Sequence, residues 1–164
     1  MDTARDYESD FIGWTECQAQ ILQSLPKGAF GLDTANLAEE IADLGRSEIR
    51  ETSSLLRQVL VHLIKLAAEP DSEPADLWID EILAFQGDAV LACSPGIRQR
   101  IDMPRIWKLA ANAAARSLER HGVHLDRLPD ECPFSLDEML GTDFNPAAAA
   151  ERISRVMGAA QAKS

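Results

Sequence analysis

Apolar residues recur at steps of three and four from residue 37 to residue 66, and no folding pattern other than a long helix satisfies that spacing. Leu37, Ile41, Leu44, Glu48, Thr52, Leu55, Val59, His62 and Leu66 fall on one stripe of such a helix. A capping residue precedes it, either Asp33 or Asn36, the latter with Glu39 three positions on as a capping-box variant. Glu69-Pro70 stops it, because the residue before proline is pushed out of the helical region.

The rest of the chain reads the same way. A first helix is predicted over Arg5–Leu25, with Phe11, Trp14, Ile21 and Leu22 near one face, before Pro26, Gly28 and Gly31 break the pattern. Ser72-Glu73-Pro74 opens a third helix reaching about Cys93, and Ser94-Pro95 caps a further one. Asp102-Met103-Pro104 interrupts that helix, and an Ala-rich one runs from Pro104 to about His121, closed by Gly122. Residues 123–132 read as ordered loop. Ser135 with Glu138 is a capping box for a short helix ending at Gly141, and Asn145-Pro146 caps a last helix towards Ala162. No stretch alternates like a strand. The chain is expected to be an all-α helical bundle, a single domain over residues 1–164 with a long second helix and short C-terminal helices.

Charge narrows the partners. The 164 residues carry 16 Lys plus Arg against 27 Asp plus Glu, a net charge of -11. Generic nucleic-acid binding is disfavoured, since phosphate affinity needs net basic surface. The imbalance is uneven. Residues 69–88 hold seven acids and no base, residues 130–151 six acids and no base, while residues 89–129 hold seven bases and three acids. Arg105, Lys108, Arg116 and Arg120 share a stripe with Asn112, read chiefly as a solvated face complementing acidic neighbours. Its sharper alternative is an anion site with Trp107 as a stacking ring.

Polar residues within apolar stripes are the candidates for chemistry. Glu48 and His62 stand where the long stripe calls for apolar side chains, and a buried carboxylate needs a partner. Counting back from the turn places Asp10 level with residues 48–51. Tyr7, Asp10, Glu48 and Arg50 therefore form a candidate polar pocket for acid–base chemistry or substrate orientation, with a structural salt bridge as its bland equivalent. At about 1.5 Å per residue, His62 lies some 21 Å from Glu48 and faces the start of the third helix near Trp78 and Ile82.

His121, His124 and Cys132 have the types and spacing of three zinc ligands, with a fourth required from elsewhere. No cofactor motif, phosphate loop or catalytic elbow occurs. The N-terminus does not read as a signal peptide. The longest apolar run, residues 59–68, is interrupted by His62 and Lys65, so no membrane span is expected. Three unpaired-looking cysteines, Cys17, Cys93 and Cys132, suit a cytoplasmic setting.

The run from Leu32 to Glu48, LDTANLAEEIADLGRSE, resembles the signature of the bacterial family called domain of unknown function 29. Tyr7, Asp10, Phe11, Trp14 and Gln18 upstream extend the likeness. His62–Lys65, Trp78, Ser94-Pro95, Cys132–Phe134, Asp143-Phe144 and Pro146 extend it downstream. One departure follows Lys65, where the family tends to carry an aromatic residue and this chain has Leu66-Ala67-Ala68. The resemblance implies a small, cytoplasmic, helical bacterial protein without an established activity. With no catalytic motif, the leading expectation is a non-enzymatic interaction or regulatory module, antitoxin-like or subunit-like, whose acidic surface meets a basic protein or a second copy of itself. The alternative is a small-ligand binder or enzyme built on Glu48, Arg50 and Asp10.

Overall fold

Asp10 is the first place where local chemistry overrides periodicity. In the computed structural model, which describes residues 7–125 and 127–161, residues 7–9 are helical but Asp10 is not, with φ -144° and ψ 75°. Its carboxylate accepts the Gly13 amide hydrogen at 3.0 Å and restarts the chain as α1, Phe11–Ser24. The single first helix expected from periodicity is therefore interrupted, because an aspartate side chain competes for backbone donors and favours a cap. The expected start at Arg5 lies outside the described residues, as does the expected end of the chain's last helix at Ala162.

A short 3-10 turn over Ala29–Gly31 follows, and then α2, Thr34–Ala68. Asp33 is the residue that caps it, accepting the Asn36 backbone amide at 3.3 Å and the Asn36 side chain at 2.6 Å. The remaining helices are α3 (Ala75–Ala92), α4 (Pro95–Arg98), α5 (Met103–Glu119), α6 (Leu136–Met139) and α7 (Pro146–Gln161). No strand occurs among the described residues. Their starts follow the cap chemistry: Ser94 accepts from Ile97, Asp102 from Arg105, Ser135 from Glu138, and Asn145 from Ala148. Ser135 and Glu138 close a reciprocal capping box. Gly122, at φ 79°, ends the turn after α5 in the left-handed conformation that glycine adopts without a Cβ clash.

The described residues pack as two compact units. One draws on Met1–Thr52 and Ala92–Ile101, the other on Ser53–Leu91 and Asp102–Ser164. In the first, α2 buries small residues, Ala38, Gly45 and Thr52, seven apart along the helix. Gly45 has Thr15 of α1 directly against it, so a methyl added there would overlap the Thr15 hydroxyl. Arg100, just beyond α4, grips Glu16 of α1 through two guanidinium nitrogens and donates to the Gly96 carbonyl at 2.8 Å.

In the second unit the buried residues are large: Leu56, Leu60, Leu63 and Ile64 of α2, Ile82 of α3, Trp107 and Leu118 of α5, Met139 and Ile153. Trp107 is 1% exposed and donates its indole N–H to the Pro129 carbonyl at 2.9 Å, so it anchors the core and the following loop. It is not available as a stacking ring. Gln86 donates to the carbonyls of Met139 and Gly141, and Ser154 to that of Ala67, tying α6 and α7 to the unit through backbone acceptors.

Candidate functional site

The residues singled out along the first half of α2 stand at its surface. Glu48 and Arg50 are exposed, as are Leu37 and Leu44 of the same stripe. From Thr52 onward the stripe coincides with the buried face, with Thr52, Val59 and Leu66 all buried, but before it the buried face runs through Ala38 and Gly45 instead. Small residues let helices approach closely but add little to a hydrophobic pattern, which is why the stripe misled. Arg46 pairs with Asp43 at 2.6 Å. Tyr7 stacks edge-on against Phe11 and Trp14, at 5.5 and 4.8 Å between ring centroids. Asp10 is spent on capping α1 and lies against Gly96. Among the described residues, no hydrogen bond or ion pair joins Tyr7, Asp10, Glu48 and Arg50.

His121 and His124 are exposed, and Cys132 is half-buried with its thiol pushed up by burial. Among the described residues no group of three or more His, Cys, Asp or Glu is placed to hold a metal ion. His121 instead folds over the end of α5, its amide donating to Leu118 at 2.9 Å.

Two features of the second unit have functional shape. The first is a cleft of about 390 Å³, where the end of α2, the start of α3 and the end of α5 converge. Lys65 holds its ammonium 5.8 Å from the centroid of the Trp78 ring. Leu118 floors the cleft, and Ser72, Ser117 and His121 add polar groups to its wall. Beside it His62 is packed under Phe85, ring centroids 5.8 Å apart, with Nδ1 3.3 Å from Glu81 Oε2. That approach is out of line for a hydrogen bond and leaves Nδ1 buried without one. Burial pushes the imidazole below its ordinary value, Glu81 opposes the shift, and Lys65 adds to it.

The second feature is the pair of outer faces on α3 and α5. Helix α3 buries Ala75, Ile82 and Ala89 but exposes Leu77, Leu83, Val90 and Leu91. Leu91 is 87% exposed. The charged residues of α3, Asp76, Asp80, Glu81 and Asp88, are all acidic. A helix that is apolar on both sides has more surface to bury than its own unit covers. On α5, Arg105, Leu109, Asn112, Arg116 and Arg120 form one exposed stripe with Lys108 beside it, and none of these cations makes an ion pair among the described residues.

The model of the family described as Domain of unknown function DUF29 matches residues 7–145. The chain belongs to the DUF29 family. An alpha-helical protein of unknown function from Rhodospirillum rubrum ATCC 11170, known from a crystal structure, is similar at 32% identity and a TM-score of 0.77. The match covers 90% of this chain and 96% of that one. No curated protein matches. The likeness read from LDTANLAEEIADLGRSE is thus shown, and so is the all-α class of this DUF29 chain. No helix among the described residues is long and apolar enough to cross a membrane.

Sequence reasoning named Trp78 and His62 as neighbours but missed the cleft itself. Its walls come from residues 65, 78 and 117, far apart in the chain, and the only available signal was that Lys65 and Trp78 flank the turn at Glu69-Pro70. It also missed the doubly apolar character of α3, although Leu77, Leu83, Val90 and Leu91 around three Asp were in plain sight.

Proposed function

We propose that this protein is a non-enzymatic interaction module that self-associates, the acidic outer face of α3 on one copy receiving the basic outer face of α5 on another. The observation that carries this is the exposure of Leu77, Leu83, Val90 and Leu91 on a helix whose charges are all acidic. Such a face suits a basic amphipathic helix, and α5 is one, with Leu109 49% exposed among Arg105, Lys108, Arg116 and Arg120. In a two-fold pairing each copy gives one face and receives the other, so the contact is made twice.

The net charge of -11 works against association at long range. At physiological salt the Debye length is about 8 Å, so repulsion between whole chains is screened while ion pairs in contact persist. Local complementarity then decides. The non-enzymatic part of the reading is supported by the solvated positions of Glu48 and Arg50 and by the use of Asp10 as a helix cap.

Sedimentation equilibrium at physiological salt tests the reading. The protein is expected to sediment as a dimer, and Arg116→Glu with Arg120→Glu to sediment as a monomer of unchanged helicity. A wild-type protein monomeric up to high micromolar concentration overturns it.

A further inference from the structure

We infer that the cleft between Lys65, Trp78 and His121 binds a small organic monoanion with a flat apolar body, an aromatic carboxylate being its simplest form. This inference is independent of self-association, since it uses the inner flank of α3 and not its outer face. Three residues lining the cleft carry donors free of hydrogen bonds and ion pairs among the described residues: the Lys65 ammonium, the Ser117 hydroxyl and the His121 imidazole. The Ser72 hydroxyl donates to the Glu69 carbonyl at 2.8 Å, which leaves its lone pairs free to accept but spends its proton. The polar wall is therefore rich in donors, the arrangement an anionic acceptor requires.

The apolar half of the ligand follows from Trp78 and Leu118. Trp78 offers a half-buried indole and Leu118 a buried floor. Lys65 sits over the Trp78 ring, so a flat ligand sliding onto the indole brings its carboxylate to the ammonium while keeping aromatic contact. A volume of about 390 Å³ lies in the range of small-molecule sites and is too small for a helix or a nucleotide chain. Charge sets the valence. Glu69 lines the same cleft, and one carboxylate set against one ammonium leaves no surplus positive charge to hold a polyanion. A single anionic group on the ligand is what that pair accommodates.

Titration of the full chain with cinnamate, followed by calorimetry and by the Trp78 indole resonance, tests the inference. Cinnamamide serves as the neutral isostere and acetate as the anion without a ring. Cinnamate is expected to bind saturably, and both controls to bind about tenfold more weakly. Lys65→Gln should weaken cinnamate without altering cinnamamide, and Lys65→Arg should largely retain it. Ser117→Ala should give a smaller loss at unchanged melting temperature. Equal affinity for cinnamamide overturns the anionic half, and equal affinity for acetate overturns the apolar half. No saturable binding at millimolar cinnamate, or binding unchanged in Lys65→Gln, overturns the site.

Discussion

Gly45 of α2 and Thr15 of α1 meet with no room for a methyl group between them, the Thr15 Cβ lying 3.4 Å from where a Gly45 Cβ would sit and the hydroxyl overlapping it. Thr15 is fully buried, and its hydroxyl is held by a 2.8 Å bond to the Ile12 carbonyl, so it cannot swing aside. Gly45→Ala should therefore destabilise despite the gain of about 1 kcal/mol in helix propensity. Overpacking of this kind costs about 1–3 kcal/mol. Combining it with Thr15→Ala should recover part of the loss, which chemical denaturation of the four-member cycle measures. Stabilisation by Gly45→Ala alone contradicts the close approach.

This contact also explains how much of the molecule could be read in advance. Helix ends were legible, because caps are local chemistry: Ser94, Asp102, Ser135 with Glu138, and Gly122 act through neighbours within four residues. Burial on the first half of α2 was not, although Thr52, Val59 and Leu66 of the same stripe are buried. The face that matters in that first half is Ala38 and Gly45, and small residues register only when the partner helix is in place. Glu48 accordingly read as an acid in a core and is a solvated one. The site was least legible, since Lys65, Trp78 and Ser117 come together only through tertiary packing.

Phe30 adopts φ 56° in the turn between α1 and α2, a left-handed conformation that a bulky side chain holds under strain, and it is 91% exposed. Replacing it removes strain and sacrifices little burial. Phe30→Gly or Phe30→Asn should raise stability by about 1 kcal/mol, read as a higher denaturation midpoint. A loss comparable to that of a core truncation contradicts the exposure.

His62 makes stability depend on pH. Burial holds the folded-state pKa below the ordinary 6.5, so the unfolded chain binds the proton more readily. Stability should be complete above about pH 6.5 and decline as pH falls from there towards the depressed folded value. Beyond that the loss is constant, until carboxylates titrate. Thermal melts between about pH 5 and 7 should slope for wild type and flatten in His62→Gln. A slope unchanged by the substitution contradicts this role.

Glu138 acts at the acid end. Its carboxylate accepts the Ser135 amide at 2.7 Å and Arg152 at 2.7 Å, which holds it at about 2. Its contribution is present above the ordinary carboxylate value near 4.5 and disappears as pH falls through about 2. Because it is half exposed, the contribution is modest and salt-screened. Glu138→Gln should cost up to about 1 kcal/mol at neutral pH and only a small fraction of that near pH 2. An equal deficit at both pH values contradicts the capping-box account.

The outer faces of α3 and α5 carry the central claim, and a charge exchange tests it most directly. Asp80→Lys with Asp88→Lys reverses the acidic face, and Arg116→Glu with Arg120→Glu reverses the basic one. Each reversed protein alone brings like charges together and should be monomeric at physiological salt. The decisive measurement is sedimentation velocity on an equimolar mixture of the two, in which the reversed α3 of one meets the reversed α5 of the other. A dimer species restored in the mixture and absent from either component is the predicted result. Two monomers that remain monomers on mixing, from a wild type that does dimerise, would show that these two faces do not meet each other in the dimer.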